Sequence, residues 1–200
     1  MAKLGAAMAQ AVFAMGALLG AGTALADARD VGEQAYASVD PFIGTGGEGH
    51  TYPGATVPFG MVQLSPDTRI QPRAQAYDWA AGYRYDDTSI VGFSHTHFSG
   101  TGHSDLGDVL LMPVTGPEKL ERGDPEVPGS SYASRFRHDD EIAQPGYYAV
   151  TLDDSKVRAE LTASARAGVH RYTFPEDTDA RVLLDLRTSM YDYPGKILWS

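Results

Sequence analysis

Between Gly92 and Pro113 the chain reads GFSHTHFSGTGHSDLGDVLLMP, which holds three of its six histidines, His95, His97 and His103, and two aspartates, Asp105 and Asp108. Three imidazoles and one carboxylate are a ligand set that zinc accepts. His95 and His97 stand two apart on a segment that reads as a strand, so both side chains leave one face. The same spacing arises without metal, where imidazoles bond backbone carbonyls or one another. The stretch therefore admits three readings: a metal site, a sugar-contacting loop, or a polar strand-loop-strand scaffold.

Other residue patterns carry weaker chemistry. Gly44, Gly46 and Gly49 match G-x-G-x-x-G, but His50, Tyr52, Pro53 and Gly54 follow where a dinucleotide fingerprint needs a helix. The glycines are better read as a turn-rich loop that permits left-handed backbone or the close approach of a ligand. Trp79, with Tyr77, Tyr83 and Tyr85, belongs to the core or forms a platform for a sugar ring; its polar segment DWAAGY leaves both open. Asp78, Asp86, Asp87, Asp105 and Asp108 are candidates for paired acid and base, with solvated surface carboxylates as the default. No G-x-S-x-G elbow is present, and the adjacent His103, Ser104 and Asp105 do not suit triad geometry.

The elements that must position these residues are short strands. Phe59 to Leu64, Ile90 to Phe98, Asp108 to Val114, Tyr147 to Leu152, Val157 to Ser164, Gly168 to Phe174 and Arg181 to Leu186 read as strands separated by turns. In the last but one, His170, Tyr172 and Phe174 share a face, opposite Val169, Arg171 and Thr173. Gly and Pro density from Val39 to Asp67 forbids a long helix and implies a folded loop. Gly116 to Pro145, charged and rich in turn residues, is expected at the surface. No window predicts an amphipathic helix of ten or more residues, and the expected class is all-β, an antiparallel β-sandwich. Because DYPGKILWS from Asp192 to Ser200 opens a further strand, the sandwich is expected to be incomplete at its C-terminal end.

Composition narrows the partners. Sixteen Lys and Arg against 26 Asp and Glu give a formal charge of −10, which argues against a nucleic-acid surface. The absence of cysteine rules out disulfides and thiolate metal sites. Residues 1–26 read as a signal peptide: Lys3, an apolar run from Leu4 to about Gly22, then the cleavage pattern Ala24-Leu25-Ala26. The expected location is exported, periplasmic or secreted, with no membrane attachment after cleavage. Residues 27–38 form a polar lead-in, and 39–200 form the sandwich.

Three segments in order, VDPFIGTGGEGHTYPGATVPFGMVQLSPDTR, DWAAGYRYDD and IVGFSHTHFSGTGHSDLGDVLLMP, closely resemble the N-terminal domain of glycoside hydrolase family 92, over about Val39 to Leu186. The family consists of calcium-dependent, inverting α-mannosidases. The resemblance implies a β-sandwich packed on a larger (α/α)6 catalytic domain, absent from this sequence, that carries the calcium ligands and the catalytic acid and base. It therefore implies no catalytic residue and no metal ligand here, and no cofactor for this chain alone. It implies one wall of a cleft for α-mannoside glycans, with Trp79 near the leaving-sugar subsite. The Phe42 to Gly47 loop (Phe42, Gly44, Gly46, Gly47) and His95 and His97 would face the domain interface. The chain alone is expected to be inactive. A stand-alone carbohydrate-binding module and a periplasmic zinc protein are the alternatives.

Overall fold

The computed structural model describes residues 29–47, 49–68, 81–100, 106–122 and 131–186. The chain forms two units, Met1–Val39 and Asp40–Ser200. In the first, residues 29–37 form a short helix, α1, exposed along its whole length. Gln34 Nε2 donates to Asp30 Oδ2 one turn back at 3.0 Å. This helix replaces part of the expected polar lead-in. At nine residues, with Gly32 inside it, it is too short and irregular to leave a periodic signature.

The second unit is a β-sandwich. Its strands are β1 (Ala55–Thr56), β2 (Gln63–Asp67), β3 (Ser89–Ile90), β4 (Gly92–Ser94), β5 (Leu110–Val114), β6 (Ser134–Arg135), β7 (Ile142–Gln144), β8 (Tyr147–Thr151), β9 (Arg158–Ala163), β10 (Gly168–Thr173) and β11 (Arg181–Asp185). One sheet has the order β1-β2-β4-β5-β11, a second β10-β9-β8-β7, and β3 pairs with β6 alone. All pairings are antiparallel. Leu64, Phe93, Leu110 and Met112 from the first sheet meet Tyr148, Val150, Ala159 and Leu161 from the second in one core. Each of these side chains is essentially closed to water, and burying one contributes about 1.5–3 kcal/mol where it is large and apolar.

The C-terminal strands follow the predicted alternation. Along β10, Gly168, His170 and Tyr172 are half-buried and Val169, Arg171 and Thr173 exposed. The pairing runs Gly168↔Ala163 through Thr173↔Arg158, and Arg171 forms an ion pair with Glu160 across it.

Three expectations change. The strand read over Phe59 to Leu64 begins only at Gln63 and runs on to Asp67. The single strand predicted over Ile90 to Phe98 is broken: β3 and β4 join different sheets, and the strand ends at Ser94. The break falls at Val91, and β4 then starts at Gly92, where an added Cβ would sit 2.6–2.8 Å from the Leu110 side chain. The Gly116 to Pro145 connection is not wholly at the surface. Tyr132 and Phe136 enter the core at 3% and 5% exposure, carried there by the β3–β6 pair, Ser89↔Arg135 and Ile90↔Ser134. A 3-10 turn, His138–Asp140, follows. It turns the chain so that the Glu141 side chain is completely enclosed. A run of charges reads as surface, but these polar groups are consumed by internal partners.

Candidate functional site

The Phe42–Gly47 loop is built from short-range hydrogen bonds. Asp40 Oδ1 accepts from Phe42 N–H at 2.9 Å, and Phe42 C=O accepts from the Thr45 hydroxyl at 2.8 Å. Thr51 closes the loop from the far side, its hydroxyl donating to Ile43 C=O at 2.8 Å. Gly44 and Gly47 have φ of +81° and +56°, the left-handed region that glycine occupies without strain. At Gly49 an added Cβ would stand 1.9 Å from the Gly44 carbonyl oxygen. The glycine pattern thus serves the loop's own backbone contact, as one of the sequence readings held. Gly49→Ala is expected to lose about 1–3 kcal/mol to overpacking, read as a lower urea midpoint, whereas Gly32→Ala in the open helix is expected to leave the midpoint unchanged or raise it.

A second segment lies against this loop. Tyr85 N–H donates to Thr45 C=O at 3.0 Å, and Asp86 Oδ2 accepts from Gly47 N–H at 3.3 Å. Phe42 packs on Tyr85 edge to face at 5.9 Å and on Tyr83 at 6.4 Å. Tyr83 is buried, Tyr85 is 40% exposed and Ile43 is 74% exposed. The result is an open shelf of glycine backbone and aromatic ring. Asp87 accepts from the Thr68 hydroxyl at 2.8 Å and Asp108 from the Thr96 hydroxyl at 3.1 Å, so these acids tie loops together. Trp79, Tyr77, Asp78, His103, Ser104 and Asp105 lie outside the described residues.

His95 and His97 end in different networks. His97 is fully buried at 0% exposure. Its Nδ1 meets the Gln63 carbonyl at 2.6 Å, and its Nε2 meets Asp67 Oδ1 at 2.9 Å and Ser94 Oγ at 3.2 Å. The carbonyl fixes the hydrogen on Nδ1, and the Asp67 carboxylate and the Ser94 hydroxyl close around Nε2. A ring enclosed in this way has no surface left for sugar, and its role is to brace β2 against β4. His95 is half-buried. Its Nδ1 meets the Val109 carbonyl at 2.8 Å and its Nε2 meets His170 Nε2 at 3.2 Å, while His170 Nδ1 meets the Tyr172 hydroxyl at 2.8 Å.

The Val109 carbonyl fixes a hydrogen on His95 Nδ1. Through His170 and Tyr172 the network joins the two sheets. Burial, with a smaller contribution from His95, pushes the His170 imidazole down to about 4 from 6.5. Below pH 6.5 the unfolded chain takes up a proton that the folded chain refuses until about pH 4. Stability is therefore complete above about pH 6.5 and declines between about 6.5 and 4, by roughly 2 kcal/mol after allowing for the partly exposed ring. Urea midpoints measured across that window check it, and His170→Gln is expected to flatten the slope.

Among the described residues no three His, Asp or Glu side chains converge to hold a metal ion. His95 and His97 are each committed to backbone carbonyls and separate partners, the scaffold alternative of the sequence reading. His170, which continues the His95 network, had no motif to announce it, and neither did His138 and Glu141, which form a separate cluster with Tyr83 and Tyr148.

Residues 38–196 match the Glycosyl hydrolase family 92 N-terminal domain. The chain belongs to glycoside hydrolase family 92. It is 48% identical to a family GH92 α-mannosidase from Bacteroides thetaiotaomicron, with a TM-score of 0.73 over 78% of this chain and 20% of that one. A second GH92 protein of the same organism, described as an inverting mannosidase, is 31% identical with a TM-score of 0.53, over 68% of this chain and 17% of that one. An uncharacterized secreted glycosidase from Arthroderma benhamiae is 29% identical over 141 residues, 70% of this chain and 17% of the relative. The chain thus spans about a fifth of the length of these family 92 relatives. The antiparallel sandwich described above is the fold of the family's N-terminal domain.

Proposed function

We propose that this domain forms one wall of the substrate cleft of an exported glycosidase that hydrolyses terminal α-mannosides of glycans with inversion. The observation that carries the reading is the 48% identity to a GH92 α-mannosidase over 78% of the chain. That relative has also been solved in complex with mannoimidazole, which favours a mannoside as the sugar. Inversion takes one carboxylic acid to protonate the leaving oxygen and one carboxylate to activate water from the opposite face. Both belong to the larger catalytic region of the family, so the 200-residue chain by itself is inactive.

Calcium, which suits an all-oxygen site, would bind sugar hydroxyls and help distort the ring. The described residues offer it no converging set of carboxylates, and its ligands are assigned to the catalytic region. What this chain contributes is shape: the Phe42, Gly44, Gly46 and Gly47 shelf, with Trp79 beside the leaving sugar. The signal-peptide pattern of residues 1–26 and the secreted relative support export to the periplasm or beyond.

Isothermal titration of the chain with mannose is expected to give no measurable heat, because most of the pocket is supplied by the catalytic region. A clear heat at micromolar affinity would instead favour a self-sufficient carbohydrate-binding module. Stoichiometric zinc in the purified protein, lost in His95→Ala, would favour the zinc protein.

A further inference from the structure

Tyr85 is the most exposed aromatic ring of the shelf that is also anchored from behind. His138 stacks on it at 3.9 Å with the ring planes 8° apart, and Phe136 meets the same imidazole edge-on at 5.3 Å. His138 Nδ1 donates to Glu141 Oε2 at 2.5 Å. Glu141 is wholly enclosed and accepts two further hydrogen bonds, from Tyr83 at 3.0 Å and from Tyr148 at 2.5 Å. Burial, reinforced by the Glu141 charge, raises both phenols far above their usual range, so each remains an O–H donor. One carboxylate thus locks three side chains, and through His138 it fixes the plane of Tyr85.

The shelf in front is open. Tyr85 N–H is tied to Thr45 C=O, Phe42 sits edge-on to its ring, and at Gly46 an added Cβ would stand 3.7 Å from Tyr85 Cβ. A ring backed by an imidazole, 40% exposed and bordered by glycine backbone fits the apolar face of a pyranose. A mobile tyrosine would lose rotamer freedom on binding; a stacked and hydrogen-bonded one has already lost it.

We propose that Tyr85 is a sugar-contacting aromatic of this wall, and that His138 and Glu141 are the residues that position it. The sugar contact rests on the mannoside reading above; the positioning does not. Both are tested by aromatic NMR of the 200-residue chain, titrated with methyl α-mannoside into the millimolar range, below the reach of calorimetry. The Tyr85 ring signals are expected to move saturably, with a smaller shift at His138. Tyr85→Ala is expected to abolish the His138 shift and Tyr85→Phe to keep it. Without ligand, Glu141→Gln is expected to remove the contacts seen between the Tyr85 and His138 rings while the β8–β9–β10 amide signals stay dispersed. If that variant unfolds, His138→Ala, at a partly exposed position, is expected to weaken the Tyr85 response at least several-fold. Shifts at Phe42 and Gly46 without Tyr85 would overturn the Tyr85 assignment and leave the mannoside reading standing. Ring contacts or responses untouched by both variants would overturn the positioning role. No saturable shift at either place would overturn the Tyr85 sugar contact and leave standing the mannoside reading, which assigns most of the pocket to the catalytic region.

Discussion

Replacing His97 by alanine is expected to cost about 3–5 kcal/mol of folding stability, because it strips a buried carboxylate of its hydrogen-bond partner. The ring has no exposure, so its loss also leaves a cavity. Asp67 suffers most. Its Oδ1 loses the 2.9 Å contact with His97, and its Oδ2 already has no hydrogen-bond partner among the described residues. A carboxylate at 3% exposure with neither oxygen satisfied is an expensive group to keep. The double change His97→Ala with Asp67→Ala is therefore expected to cost clearly less than the two single changes added together. Urea titrations of the three variants measure this, and strict additivity would show that the pair does not act as one unit.

Glu141→Ala is expected to have a comparable effect, about 3–5 kcal/mol, by a different route. It removes the acceptor shared by Tyr83, Tyr148 and His138, two of whose rings are buried in the core. Their donors are left facing one another without a partner. Glu141→Gln keeps an acceptor for one phenol and is expected to recover about half of the loss. A control lies nearby: Arg137 and Asp140 form an exposed pair at 2.5 Å, and Asp140→Ala is expected to change stability by less than about 1 kcal/mol. If Glu141→Ala proved as mild as that control, the buried hub would not be stabilising the core.

Strands that alternate cleanly in sequence were readable before any coordinates. In the strand from Gly168 to Phe174 the period-two pattern and the shared face of His170 and Tyr172 follow from side-chain spacing. The N-terminal half was legible mainly as motifs, because its strands β1, β3, β4 and β6 are only two or three residues long. Such strands carry no periodicity; long-range pairing decides them. His95 and His97 illustrate the same limit. Their spacing predicted a shared face, but the strand stops at Ser94, and the two rings are claimed by residues distant in sequence, His170 and Gln63. Glu141 lay in a segment whose charge suggested surface, and only the three-dimensional approach of Tyr83, 58 residues away, makes it internal. Local composition records what a residue is able to do; partners so far away in the chain determine which of those roles it takes.

As proposed above, this chain supplies a wall, and not the catalytic carboxylates, to an inverting α-mannosidase. An NMR time course with an α-mannoside tests it most directly, run on the purified 200-residue chain and on the longest protein its gene encodes. No mannose is expected from the chain alone, and β-mannose is expected as the first product of a protein that adds the family's catalytic region. Mannose released by the 200-residue chain, or α-mannosides left intact by a protein carrying both regions, would contradict it.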